Sequence, residues 1–131
     1  MMLLDSASMY FRAFFGVPDS VTAPDGSPIN AVRGFLDMIA YLVGAHPPTH
    51  LVACMDEDWR PAWRVAAVPA YKAQRLAPGS GTVEIVPDAM APQVPVIQEA
   101  LDALGIARIG VAGYEADDVI GTLAAHATMP V

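Results

Sequence analysis

Five acidic residues sit at positions where side chains do chemistry. Asp5 and Asp56 each stop a short apolar run, MLLD at 2–5 and LVACM at 51–55, and Glu115, Asp117 and Asp118 open the amphipathic stretch 115–127. Crowded carboxylates repel one another and resist desolvation, so a compact group of them needs protons or cations. Oxygen donors with no His or Cys beside them favour Mg²⁺ or Mn²⁺ over zinc. Two such ions about 4 Å apart can activate a water and stabilise the leaving oxygen of a phosphodiester. Each acid also has a plainer use. Acids are favoured in a first helical turn by roughly 0.3–1 kcal/mol each, and a lone Asp after a strand often serves a turn. Glu115 and Asp118, three apart, fall on one helix face, with Asp117 expected elsewhere unless the first turn is irregular.

The bases are clustered too. Arg60, Arg64, Lys72 and Arg75 fall within 59–75, interleaved with Trp59, Trp63 and Tyr71. Cations among aromatics suit phosphate contacts with base stacking, and they equally suit an amphipathic surface whose aromatics only pack.

The elements that must position these groups alternate. Residues 2–5, 51–55 and 106–111 read as short buried strands. Helices are expected at SASMYFRAFFG, ended by Gly16 and Pro18, at 30–44 with Asn30 as N-cap, at 92–104 closed by Gly105, and at 115–127. The stretch 18–28 is turn-rich, and 57–87 lacks clear periodicity, as a functional or mobile loop would. Strand, helix, strand, helix, strand, helix predicts an α/β fold with a parallel sheet. Sites in such sheets gather beyond the carboxyl ends of the strands. That edge is where Asp5, Asp56 and the 115–118 acids would meet. Gly34 and Gly121, inside helices, each cost up to about 1 kcal/mol and suit close packing against the sheet.

Composition bounds the rest. A chain of 131 residues, 54% hydrophobic and 16% charged, makes one domain with a real core and excludes chain-long disorder. No apolar run reaches the ~20 residues of a membrane span, and the N-terminus lacks a signal-peptide pattern. The single cysteine, Cys54, excludes an internal disulfide and a cysteine zinc cluster. A cytoplasmic protein with no membrane partner is expected. The net charge of −7 argues against nucleic acid, although each bound divalent cation would offset two units of it. His46, His50 and His126 are scattered and read as structural.

Taken in order, LLDSASMYFRAFFG, PDGSPINAVRGF, PTHLVACMD, WRVAAVPAYKAQR, ALGI and GYEADDVIGTLA resemble the 5′→3′ exonuclease (flap endonuclease) family. That family includes the N-terminal nuclease domain of bacterial DNA polymerase I and stand-alone bacterial homologues. The resemblance runs from residue 3 to about 127. It implies a PIN-like 5′-nuclease fold, a three-layer arrangement of parallel sheet and flanking helices, with residues 1–131 as its N-terminal portion. It further implies that Asp5, Asp56, Glu115, Asp117 and Asp118 hold two or more Mg²⁺ or Mn²⁺ ions. Lys72 and Arg75 would meet the scissile phosphate, and Tyr71 a nearby base. Arg12, Arg33 and Arg64 would add DNA contacts, and 57–87 would be the mobile arch. The partner implied is DNA with a 5′ flap or free 5′ end.

Family members continue with a Thr-Gly-Asp-x-Asp segment carrying further ligands, so this sequence reads as truncated at its C-terminus. The alternative function is therefore an inactive fragment that binds nucleic acid or serves a structural role. A nucleotide-binding module is disfavoured, because no Gly-rich phosphate loop follows the first strand. A sheet ending at its third strand leaves an edge that invites dimerisation.

Overall fold

The computed structural model describes residues 1–131. Its strands are β1 (Met2–Asp5), β2 (Leu51–Cys54) and β3 (Ala107–Ile109). Its helices are α1 (Ser6–Gly16), α2 (Asn30–Ala45), α3 (Ala62–Ala67), α4 (Gln93–Ala103) and α5 (Ala116–His126). The sheet is parallel throughout in the order β1-β2-β3, with Asp5 beside Cys54 and Cys54 beside Ile109. Both crossovers carry helices, as parallel neighbours require.

Alternation along the strands sorts the apolar residues into two layers. Leu4, Ala53 and Met55 join Phe35, Ile97 and Leu101 in the larger core under α1, α2 and α4. Val52 and Cys54 join Ala116 and Val119 of α5 on the opposite face. This is the three-layer α/β fold expected from the sequence. Each fully buried large side chain, such as Phe35 or Leu101, contributes roughly 1.5–3 kcal/mol. No helix is long and apolar enough to cross a membrane.

Three expectations need correction. The N-cap of α2 is Ile29, without a side-chain cap bond. Asn30 is instead buried and donates to the carbonyls of Phe14 (2.8 Å) and Val17 (3.2 Å), tying α1 to α2. The open N–H groups of Ala31 and Val32 are met from outside the helix, by Gln93 Oε1 of α4 at 2.8 and 3.3 Å. Gln93 also donates to Asn30 Oδ1 (2.9 Å), so one buried amide staples two helices.

The stretch 57–87, read as a loop without elements of its own, contains α3, a 3-10 turn at Ala73–Arg75 and a bridge between Leu76 and Glu84. Its residues are held by distant partners rather than by a periodic face, which is why periodicity did not reveal it. Of the two helical glycines, only Gly34 serves packing, and that packing is helix on helix. A Cβ there would lie 2.7 Å from Val17 and 2.8 Å from Ala13, whereas one at Gly121 would meet nothing within 4 Å.

Candidate active site

Chain direction brings the acids together. In a parallel sheet all strands end on the same side, and the loops leaving β1, β2 and β3 carry Asp5, Asp56 and the 115–118 acids to that edge. Asp5 is also the N-cap of α1, where its Oδ1 accepts from the Ser8 N–H (3.0 Å) and its Oδ2 from the Ser8 hydroxyl (2.5 Å). Asp56 accepts from the Ala116 N–H at 2.7 Å, which fixes the start of α5 against the end of β2. Of the acidic run 56–58 it is Asp56 that faces inward, while Glu57 is exposed and Asp58 accepts from the Arg60 N–H. The loops after β2 and β3 are further joined by the Tyr114 carbonyl, which accepts from the Asp58 N–H at 3.1 Å. Gly113, at φ +79°, makes the turn that leads into that segment.

Asp5, Asp56, Glu115 and Asp117 line one hollow of about 280 Å³, with Lys72 and Arg75 on its wall. Asp117 thus faces the hollow and Asp118 does not, the reverse of the expectation from helix spacing. The cause is a capping box. Glu115 is the N-cap of α5 and its side chain takes the N–H of Asp118, while Asp118 Oδ2 takes the N–H of Glu115 at 3.1 Å. The other oxygen of Asp118 is bound by Arg64 (2.5 Å). Asp118 borders a separate, apolar hollow of about 470 Å³ beside Trp63 and Tyr114.

Glu115 is only 2% exposed and is the hub of the site. Lys72 donates to its Oε1, the Tyr71 hydroxyl donates to Oε2 at 2.6 Å, and the Arg64 guanidinium lies 3.0 Å from Oε2. Burial and the bond to Glu115 push the Tyr71 phenol up to about 12. Lys72 is the one non-glycine residue with positive φ (+49°), a conformation that L side chains rarely hold without support. Arg75 pairs with Glu84 and lies between the Phe11 and Trp59 rings, 5.6 and 5.7 Å from their centroids. Burial raises the Asp56 carboxyl above its ordinary range, with Asp5 and Glu115 adding repulsion against the opposing Ala116 N–H and Lys72.

The donor set is of the chemical kind a hard divalent cation takes, although no three of its carboxylates stand close enough here to hold an ion as they are placed. It is all oxygen and comes from three stretches of chain, and burial first, with Asp5 and Glu115 after it, disfavours the ionised form of Asp56. In this structure Lys72 and Arg64 meet the charge of Glu115 directly. The remaining expected contacts lie apart. Arg12 is exposed on α1, and Arg33 is exposed on α2 in an ion pair with Asp37 (2.8 Å). Sequence reasoning missed Ser8, Glu84 and Gln93. The signal for Gln93 was available, since it shares a helix face with Ile97 and Leu101 at spacings of four.

Comparison with known proteins agrees with this architecture. A family model described as the N-terminal resolvase-like domain of 5′-3′ exonucleases matches residues 1–130. A 5′-3′ exonuclease of Streptomyces coelicolor is 68% identical over 133 residues, covering 99% of this chain and 44% of that protein. A 5′-3′ exonuclease of Mycobacterium tuberculosis is 56% identical over 128 residues, covering 95% of this chain and 40% of that protein. DNA polymerase I of Mycobacterium bovis is 39% identical over 128 residues, covering 97% of this chain and 13% of that protein. The chain therefore spans less than half the length of these relatives. With its parallel sheet, its acids at the strand ends and a match over nearly every residue, the chain belongs to the 5′-3′ exonuclease family, as the N-terminal resolvase-like part.

Proposed function

We propose that this chain forms the catalytic half-site of a divalent-metal-dependent 5′→3′ exonuclease or flap endonuclease. It would hydrolyse DNA phosphodiester bonds near a free 5′ end, in replication and repair. The observation that carries the reading is the hollow in which Asp5, Asp56, Glu115 and Asp117 face Lys72 and Arg75. Acids and bases that only capped helices would have no reason to converge there from both sides.

Asp5, Asp56, Glu115 and Asp117 would hold Mg²⁺ or Mn²⁺, and such ions when bound supply an activated water and charge stabilisation. The protein's own groups do the positioning. Ser8 fixes both oxygens of Asp5, and the Ala116 N–H fixes Asp56, so these carboxylates are aimed before any ligand arrives. Lys72 and Arg75 bind the non-bridging oxygens of the scissile phosphate, where negative charge grows as the bond to phosphorus forms. The Phe11 and Trp59 rings and the Glu84 carboxylate together position the Arg75 guanidinium on the wall of the hollow. Tyr71, with Arg64 and Lys72 each 5.5 Å from its ring, is placed for the base next to the cleaved bond. Asp118 acts indirectly, by capping α5 and holding Arg64.

The test is cleavage of 5′-labelled flap DNA by this chain across a Mn²⁺ series, beside its Asp117→Asn variant. Metal-dependent products that disappear in the variant bear out the reading. Retained cleavage in the variant refutes the assigned ligands, and salt-dependent DNA binding without turnover in both points to a binding fragment.

A further inference from the structure

Glu115 is spoken for. An ionised carboxylate has about four acceptor positions. Here the Asp118 N–H, Lys72 and the Tyr71 hydroxyl donate to them, and the Arg64 guanidinium presses on Oε2 at 3.0 Å. Three of these partners come from one stretch of chain, residues 64–72, and their groups occupy the coordination space a cation would need. The same stretch is held besides by polar contacts, the Arg60 guanidinium donating to the carbonyls of Tyr71 (2.7 Å) and Pro69 (3.2 Å) and Arg64 donating to Asp118 (2.5 Å), and not by a buried apolar face. No residue of α3 is buried, Ala66 to Ala70 are exposed, and Lys72 keeps its left-handed backbone while its ammonium reaches Glu115 and the Trp59 carbonyl (3.0 Å).

We infer that Lys72, Tyr71 and Arg64 form a latch on Glu115, so that taking up a divalent cation and releasing the 62–75 segment are one event. The inference rests on the hollow being a cation site. With Glu115 turned to a cation, Lys72 loses its counter-charge at the moment a phosphate would supply another. The segment whose cations meet Glu115 thereby becomes the one that meets substrate once a cation takes their place. Linkage makes the coupling reciprocal: whatever weakens the latch must tighten cation binding.

The experiment is a Mg²⁺ titration of the 131-residue chain by calorimetry, combined with amide hydrogen exchange of residues 62–75. Both tryptophans, Trp59 and Trp63, lie in or beside that segment, so their fluorescence follows it as well. Saturating Mg²⁺ should speed exchange at the Val68, Tyr71 and Ala73 amides, which bond within the segment. Lys72→Met should raise Mg²⁺ affinity about tenfold, within the usual range of coupling.

Removing any nearby cation would also help by simple Coulomb attraction, so two further variants separate the causes. Tyr71→Phe deletes an uncharged bond to Glu115 and should still raise affinity about threefold. Arg75→Gln deletes a charge on the wall that does not touch Glu115, and should raise it less than Lys72→Met. Mg²⁺ binding with unchanged exchange, or with no effect of Tyr71→Phe, overturns the latch and leaves the cation site intact. Absence of Mg²⁺ binding in the wild type and in Lys72→Met alike overturns the cation site itself, and the latch with it.

Discussion

Replacing Glu115 by Gln tests how much of the site's order depends on one buried charge. The substitution keeps the shape of the side chain, and the amide oxygen can still accept from the Tyr71 hydroxyl. What is lost is the counter-charge for Lys72 and Arg64, from a group only 2% exposed. Breaking a buried pair costs about 3–5 kcal/mol when the orphaned partner stays dry. The Lys72 and Arg64 side chains are 20% and 25% exposed and can regain water, and Arg64 keeps Asp118. Relief of the repulsion on Asp56 returns a little more. The expected loss is therefore about 2–3 kcal/mol, just below that range, against roughly 5–15 kcal/mol for a whole domain.

With a urea slope of about 1.5–2 kcal/mol per molar, Glu115→Gln should lower the unfolding midpoint by roughly 1–2 M. A double-mutant cycle with Lys72→Met isolates the pair and should give a coupling of about 1.5 kcal/mol or more. Midpoints that fall by less than about 0.5 M, or cycle energies that add within about 0.5 kcal/mol, would show that the pair is a surface contact with no hold on the segment.

Three other substitutions follow from the structure. Asp56 has a carboxyl raised above its ordinary value by burial first, so the folded state binds its proton more tightly than the unfolded state does. In the absence of cations the contribution of Asp56 to stability must fall as pH rises from its ordinary value through the raised one. Asp56→Asn, which can keep the bond from the Ala116 N–H, should flatten that slope in thermal melts and raise the metal-free midpoint at neutral pH by a few degrees. The variant should also lose stabilisation by Mg²⁺. The two helical glycines should respond oppositely to Ala: Gly34→Ala should cost about 1–3 kcal/mol by driving a methyl into Val17 and Ala13, and Gly121→Ala should gain about 0.5–1 kcal/mol, both read from urea melts.

Much of the fold could be read from the sequence because its strands announce themselves. MLLD and LVACM are apolar runs halted by an acid, so the same residues that define β1 and β2 also mark the site edge. Helix positions followed from apolar spacing and from Gly105 after α4, whose φ of +68° is the left-handed closure expected there. What stayed hidden depended on partners far along the chain. Asn30 looks like a cap until Gln93, distant in sequence, takes over that role and leaves it a buried tie between α1 and α2. Asp117 and Asp118, both expected as ligands, could not be told apart correctly by helical spacing, which applies only inside a helix. At its first turn, the reciprocal capping of Glu115 and Asp118 decides which acid is free.

The segment 62–75 has no periodic apolar face because ion pairs with α5 hold it instead of a core. The choice of Asp56 over its acidic neighbours was likewise a matter of the Ala116 N–H, which no local pattern reveals.

The central claim is that Asp5, Asp56, Glu115 and Asp117 form a divalent-cation site from which Asp118 is turned away. Calorimetric titration of Mg²⁺ into Asp117→Asn and Asp118→Asn, each shown folded by its circular dichroism, tests it most directly. The predicted result is loss of binding in Asp117→Asn, at least tenfold, with Asp118→Asn within about threefold of the wild type. Equal losses in both variants, or a loss confined to Asp118→Asn, would contradict it.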